Sequence, residues 1–389
     1  MKTFKKWPYF EDDDIKAVED VLRSGKINRW TGSKNTEFEA KICESVGCKY
    51  AIALANGSLS LKAAISALNL QSGDEVITTC RTFIATGAEI FISGAKPVFA
   101  DIDLNSQNIS PKSILKNITS KTKAILVVHH AGFPCDMNSI KEIAKAHNLY
   151  VIEDCAQAHG AVYKGQPVGS IGDVAAWSYC QDKIITTGGE GGAVTTNSKD
   201  ICNKIWSYKD HGKSHDAVLN EKHHNGFKWL VESFGTNLRM TEMQAALGIC
   251  GYNKLPERIA LRKRNATIYK NTFNNLDCII TPEVPEDIVH SYYKYCCRIN
   301  LECLKAGWNR DRIVSEISTE VPCFSGTCWN VSAEKCFKDL GMEKSEKELP
   351  NAFVLKNTSI MFLLHNTISE EDMNMACEKI SKVLKNAQR

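Results

Sequence analysis

Seven short apolar runs between residues 50 and 196 constrain the fold of this chain more than any other feature. They are Tyr50 to Leu54, Glu75 to Thr79, Pro97 to Ile102, Ala124 to Val128, Tyr150 to Glu153, Val174 to Tyr179 and Ala193 to Thr196. The runs are rich in Val, Ile and Ala and mostly continuous rather than alternating, the pattern of strands covered on both faces. Amphipathic stretches such as Leu59 to Leu68 and Met137 to His147 lie between them. This β-α rhythm predicts an α/β fold, with a mostly parallel seven-stranded sheet between two helical layers.

The rhythm ends near residue 200. Polar residues dominate from Lys209 to Asn225, which reads as a surface loop. A long helical pattern then begins at Thr241, a residue suited to cap it, and Pro256 should interrupt it. Further on, a strand-like segment (Tyr292 to Asn300) and helical patterns (Arg310 to Ile317, Glu370 to Val383) suggest a smaller C-terminal α/β domain. With 389 residues the chain is long enough for two cores. The expected division is 1–250 for the large domain, its N-terminal segment packing on the small one, and 251–389 for the small domain.

Charge and cysteine usage exclude several classes. Lys and Arg (48) nearly balance Asp and Glu (45) and are interleaved with them, so no concentrated basic face points to nucleic acid. The opening "MKTFKKWPYFEDDDIKAVEDVL" turns acidic without an apolar core, unlike a secretory signal. No stretch approaches the roughly 20 apolar residues that span a bilayer. A cytoplasmic protein without membrane partners is expected. The sixteen cysteines contain no C-x-x-C, and neither Cys43 and Cys48 nor Cys323 and Cys328 has a matching His pair nearby. No metal site or disulfide framework is expected, and the thiols read as small apolar residues.

Three strand ends carry candidate chemistry. In "VIEDCAQAHGA" the strand delivers Asp154 to its carboxyl end, where ligands of parallel α/β sheets bind. In "ANGSLSLKAAISAL" Gly57 and Ser58 sit where a strand gives way to a helix, an arrangement that binds anions. In "WSYCQDKIITTGGEGGAV" Ser178 ends a strand and Lys183 follows it before a glycine turn. Each residue also has a plain structural role: Asp154 as a turn cap, Ser58 as a helix N-cap, Lys183 as a solvated lysine. On one sheet edge they together supply a carboxylate, a phosphate cradle and an amine, the set that pyridoxal 5'-phosphate requires. The glycines let the backbone turn closely beneath such a cofactor.

In these residues the chain resembles the fold-type I pyridoxal-phosphate enzymes, and within them the nucleotide-sugar aminotransferases of the DegT/DnrJ/StrS group. "NGSLSLKAAISAL", "TTCRTFIATGAEI", "EDCAQAHGA", "SYCQDKIITTGGEGG" and "GTNLRMTEMQAALG" are similar to five segments of that group, in the same order. The resemblance implies that Lys183 holds the cofactor covalently and that Asp154 pairs with its pyridine nitrogen. It implies that Gln157 bonds the ring hydroxyl and that Phe83 stacks on the ring, unless Phe83 is a core aromatic. Gly57, Ser58 and Ser178 would bind the phosphate. Asn237 would reach it from the neighbouring subunit of a homodimer with shared active sites. Arg239 would brace that loop, and His159 would be structural or support the site from behind. The implied substrates are a nucleotide-linked keto sugar and L-glutamate, in the amino-sugar chemistry of bacterial surface glycans such as lipopolysaccharide O-antigen.

There are departures. An extra glycine makes "TTGGEGG" and leaves the turn geometry open. The segment "VPCFSGTCWN" resembles a subgroup that aminates C4 of UDP-linked 4-keto-6-deoxy sugars. Amination at C3 is the alternative. A sister group of sugar dehydratases carries His where this chain has Lys183, and a cofactor-binding regulator without turnover is the non-enzymatic alternative. Trp30, in "INRWTG", would line the sugar pocket or serve as core or lid.

Overall fold

The computed structural model describes residues 4–220 and 231–389. The main sheet contains β1 (Tyr50–Leu54), β2 (Glu75–Thr79), β3 (Lys96–Ala100), β4 (Thr122–Val128), β5 (Tyr150–Asp154), β6 (Val174–Ser178) and β7 (Gly192–Thr196). Their order across the sheet is β1-β7-β6-β5-β4-β2-β3. All neighbouring pairs are parallel except those of β7, which runs antiparallel to both β1 and β6. The seven expected strands are all present, with boundaries shifted by no more than two residues.

Both faces of this sheet are covered. Ile52, Leu54, Leu126, Val128, Ile152 and Val194 point to one side, against Leu61, Ile65, Ile201 and Ile205 of the helices Gly57–Ser66 and Lys199–Lys209. Alternate residues point to the other. Ala53, Ala175, Trp177 and Ala193 meet Phe38, Ile42 and Tyr252. Ile125, Val127 and Val151 meet Met137, Ile140 and Ile143 of the helix Met137–His147. Two-sided burial explains the continuous apolar runs.

A second, antiparallel sheet contains β8 (Ile279–Ile280), β9 (Lys294–Ile299), β10 (Cys323–Phe324) and β11 (Ser359–Leu363), in the order β8-β9-β11-β10. Tyr295, Cys297, Ile299, Ile360 and Phe362 pack with Tyr269, Phe273, Ile380 and Leu384 into a separate apolar cluster. Thr241 caps the helix Glu242–Asn253 through a reciprocal bond with Gln244, as the sequence suggests. Pro256 lies in the first turn of the next helix, Leu255–Phe273, where its missing N–H is not needed.

The polar stretch from Lys209 to Asn225 is not simply a surface loop. It contains a helix at His215–Asn220, and Lys209 is fully buried; residues 221–225 lie outside the described residues. All sixteen cysteines carry free thiols, most of them buried. Among the described residues, no helix is long and apolar enough to cross a membrane.

Two buried arginines position the second sheet: Arg81 ties it to the segment after β2, and Arg262, on the helix Leu255–Phe273, holds the residues beside β9 and β11. Arg81 donates to Ser359 Oγ (2.8 Å). Arg262 donates to the carbonyls of Tyr292 (3.0 Å) and Leu364 (2.6 Å). The backbone N–H groups of Ser291 and Tyr293 donate to Gly132 and Ala131, just beyond β4.

One carboxylate secures the loop that leads into β6. Glu153, fully buried, accepts the N–H groups of Gly169 (2.9 Å), Ile171 (2.9 Å) and Gly172 (2.6 Å) and faces His129 Nε2 at 3.0 Å. Burial alone would raise its pKa, but His129 and these backbone donors outweigh burial and hold it below the usual carboxylate range. A folded-state pKa below the unfolded value of about 4.3 adds stability above that pH. That stability is lost as pH falls through the folded value. Glu153→Gln is expected to cost about 1–3 kcal/mol at pH 7 and much less below pH 4. Urea denaturation at the two pH values checks this, and an equal cost at both would remove the linkage.

Candidate active site

The carboxyl edge of the main sheet opens into a cavity of about 660 Å³, lined by Gly57, Ser58, Phe83, Asp154, Gln157, Ser178 and Lys183. Seven of the eight residues expected at the site thus share one space, brought there from four different segments.

The cradle forms where β1 gives way to the helix Gly57–Ser66. Its N-cap is Asn56, whose side chain accepts Leu59 N–H at 3.0 Å, so the reading of Ser58 as the cap is excluded. The cap leaves the first-turn N–H groups of Gly57 and Ser58, at the positive end of the helix, facing the cavity. A Cβ on Gly57 would lie 2.5 Å from Ser178 Cβ and 2.9 Å from its Oγ. Only glycine lets the helix start come this close to the end of β6.

Asp154 closes β5. Its Oδ2 accepts from Thr86 Oγ1 (3.0 Å) and its Oδ1 from Ala156 N–H (3.1 Å). Burial raises its pKa, and those two bonds oppose the rise without cancelling it. A cation on the cavity side would keep the carboxylate ionised, and a protonated pyridine nitrogen is such a cation. Gln157 Oε1 accepts Ala131 N–H at 2.7 Å, which leaves its NH₂ as a donor. Phe83 is 66% exposed and lines the cavity, so its reading as a core aromatic is excluded. A helix-end anion cradle, a buried carboxylate with no ion-pair partner among the described residues, and a lysine on one wall together fit pyridoxal phosphate.

Lys183 is mostly buried. Its Nζ donates to Tyr293 Oη at 3.3 Å and lies 3.5 Å from Asp182 Oδ1. Tyr293 in turn donates to Asp182 Oδ2. Burial tends to raise the Asp182 pKa, but Lys183 and Tyr293 reverse this and lower it. Burial and Asp182 push the Tyr293 phenol upward. The glycine turn folds back beneath the lysine: Gly188 (φ +91°) and Gly189 (φ +130°) lead to a bond from Gln181 N–H to Gly189 O at 2.9 Å. Both consecutive glycines of "TTGG", one of them the extra residue, thus take positive φ.

Four other residues take definite places. Asn237 is exposed beside Asp210 and does not line this cavity. Arg239 donates to Asp210 Oδ1 at 2.8 Å and so braces that segment. His159 packs between Trp177 and Tyr179, and burial holds it neutral, with a pKa pulled down to about 3. Trp30 does not line the cavity; it packs edge-on to Trp206.

The sequence reading missed Tyr293, Asp182 and Thr86. Asp182 and Thr86 lie in segments already singled out, next to Lys183 and three residues after Phe83. Tyr293 is 110 residues from Lys183 and carries no local signal.

A family model described as the DegT/DnrJ/EryC1/StrS aminotransferase family matches residues 8–381. The crystal structure of an aminotransferase from Psychrobacter cryohalolentis is 47% identical, with a TM-score of 0.96 over 99% of both chains. The dTDP-3-amino-3,6-dideoxy-alpha-D-galactopyranose transaminase of Aneurinibacillus thermoaerophilus is 40% identical over 75% of this chain and 76% of its own. The GDP-perosamine synthase of Escherichia coli O157:H7 is 39% identical over 68% and 70%.

The cradle geometry gives a direct test. Gly57→Ala is expected to weaken pyridoxal phosphate binding about tenfold or more, since the clash must shift either the helix start or Ser178. Spectrophotometric titration of the apoprotein measures this. Gly57→Ala should cost less on a Ser178→Gly background, measured against Ser178→Gly alone, than it does in the wild type; an equal cost in both would move the cause away from the Gly57–Ser178 contact.

Proposed function

Because this chain belongs to the DegT/DnrJ/EryC1/StrS aminotransferase family, whose members depend on pyridoxal phosphate, we propose that it transfers the amino group of L-glutamate to C4 of a UDP-linked 4-keto-6-deoxyhexose, a step in bacterial surface-glycan amino-sugar synthesis. The observation that carries the reading is the meeting of Lys183, Asp154 and the Gly57–Ser178 cradle in one cavity. The C4 assignment draws on the 321–330 segment. Its Phe324, Gly326 and Thr327 line a cavity adjoining that of Lys183, where a sugar ring would extend. The relatives are named for GDP- and dTDP-linked sugars, so they favour neither nucleotide for this chain.

Pyridoxal phosphate, when bound, supplies an aldehyde that takes up an amine and a ring that accepts the electron pair of a broken C–H bond. The chain's residues supply the rest. Gly57, Ser58 and Ser178 would bind the phosphate, and Asp154 would hold the proton on the ring nitrogen. Gln157 would donate to the ring oxygen, and Phe83 would cover one ring face. Lys183 Nζ would hold the cofactor at rest. In turnover Nζ would take the proton from the donor α-carbon, and in the second half-reaction it would deliver a proton to the sugar carbon that gains nitrogen. Tyr293 and Asp182 keep Nζ within reach.

The same reading includes a homodimer. Asn237 is exposed outside its own cavity, and Val231 and Phe234 on the same segment are exposed apolar side chains that a second copy would cover.

Three measurements check the proposal. Borohydride reduction and peptide mapping should place the cofactor on Lys183, and Lys183→Ala should lose at least about 10³-fold in rate. Nucleotide-linked 3-keto and 4-keto sugars, offered with glutamate and scored by mass, should show carbonyl-to-amine conversion for the UDP-4-keto sugar. Conversion of only a 3-keto sugar would establish the C3 alternative. Mixing inactive Lys183→Ala with inactive Asn237→Ala should restore about a quarter of wild-type activity, because mixed dimers keep one intact site. No restoration would place Asn237 within its own subunit's site or outside the chemistry.

A further inference from the structure

Strand β9 sorts its side chains by alternation. Tyr295, Cys297 and Ile299 enter the apolar cluster of the second sheet. Lys294 and Cys296 turn the other way, and their β11 partners are Leu363 and Met361. These four residues line a cavity of about 270 Å³ that shares Gln157, Asp182 and Tyr293 with the space around Lys183. The floor is apolar, from Cys296, Met361 and Leu363, and among the described residues Lys294 is the only lysine or arginine lining this cavity.

Among the described residues, none forms an ion pair or hydrogen bond with the Lys294 ammonium, which lies over the Tyr293 ring, 4.7 Å from the centroid. Asp182, the nearest acid on this wall, is already engaged by Lys183 and Tyr293. His130 is buried and kept neutral by its surroundings, with Nε2 2.6 Å from Thr327 Oγ1. Burial, opposed in part by Asp182, pulls Lys294 down to about 8, so it still carries charge at neutral pH. A half-buried ammonium without an anion, beside a reactive lysine, is costly unless a ligand supplies the counter-charge.

We propose that Lys294 receives the distal carboxylate of the amino donor, whose methylene chain lies on Cys296, Met361 and Leu363. This rests on the reading of glutamate as donor and adds the subsite that selects it. The geometry suits the ligand. Lys183 Nζ and Lys294 Nζ lie 4.8 and 4.7 Å from the centroid of the same Tyr293 ring. A dicarboxylic amino acid, with three carbon–carbon bonds between its α-carbon and its distal carboxyl carbon, can span that separation. A nucleotide diphosphate carries more charge than one lysine answers, and the sugar ring must stand between it and the reacting carbon. The pocket is too small and too apolar for that group.

The test compares wild-type holoenzyme with Lys294→Met and Lys294→Arg. Cofactor absorbance confirms that each variant folds and loads. The glutamate half-reaction is followed by loss of the yellow lysine-bound colour. Half-saturating glutamate is expected to rise about 10- to 100-fold in Lys294→Met, the range set by losing one charge-assisted contact, and to stay within a few-fold in Lys294→Arg. Glutamine in place of glutamate should cost the wild type as much and Lys294→Met little more, as expected for one shared contact. Glutarate, which cannot react, should bind the wild type and Lys294→Arg in calorimetry but not Lys294→Met. Normal glutarate and glutamate behaviour in Lys294→Met would overturn the assignment, as would a defect confined to the nucleotide-sugar half-reaction. A wild-type enzyme that glutamate does not bleach, yet another amine does, would instead refute the donor reading.

Discussion

The main sheet is apolar on both faces, and that constraint determines where chemistry can occur. A charged group within a strand is sealed between helices and must find partners there, as Glu153 does in His129 and three backbone N–H groups. Polar function is therefore confined to strand ends, and the carboxyl ends of the parallel strands all open on one edge. Asp154 is the last residue of β5, Ser178 the last of β6, and Gly57 lies three residues past β1. The site is assembled by this exclusion before any hydrogen bond is formed. What remains local is fine adjustment, such as the absent Cβ at Gly57 that lets a helix end approach a strand end.

The second sheet completes the site instead of merely flanking it. Tyr293 reaches Lys183 because its own N–H pairs with Ala131 O, and because buried Arg262 grips the carbonyl of Tyr292 beside it. Arg81 ties Ser359 of β11 to the segment after β2. Both guanidinium groups bond neutral oxygens through their terminal nitrogens. A guanidinium keeps its charge and presents donors in a rigid fork, so such contacts fix direction strongly. Holding two elements in register by carbonyl acceptors also leaves the acids of the cavity, Asp154 and Asp182, available to ligand and lysine.

How far this was legible from sequence depended on the range of the signal. Strand positions, the Thr241 cap and the break at Pro256 follow from patterns a few residues wide, and each was readable. Sequence alone leaves open whether Ser58 caps the helix or faces a ligand, because Asn56 and Ser58 are both good caps. Only the backbone decides, and Asn56 is extended (φ −164°, ψ 173°) while the helix already begins at Gly57. Lys209 was placed on the surface by its polar neighbours, but it lies beneath Trp206, its Nζ 4.9 Å from the ring, and burial draws its pKa to about 7. Tyr293 and Lys294 were invisible for a different reason. Nothing within ten residues of either records that β9 turns one face toward a cavity of the other sheet.

The position of Lys183 between a strand end and a glycine turn follows from two opposed demands. Its backbone must be fixed, and it is: Trp7 Nε1 donates to its carbonyl at 3.1 Å, its own N–H donates to Cys180 O at 3.1 Å, and the neighbouring Gln181 is tied to Gly189. Its amine must be able to leave one partner and reach another. The contacts of Nζ, at 3.3 Å to a phenol and 3.5 Å to a carboxylate, are long for charge-assisted bonds, which favour 2.7–2.9 Å. A rigid anchor combined with a loosely held head is what a group needs if it is to bind a cofactor, release it, and carry a proton between two carbons without losing its place. Two consecutive glycines at positive φ bring the chain back beneath the lysine in few residues. A bulkier turn would need more chain for the same return, and the slack would pass into the anchor.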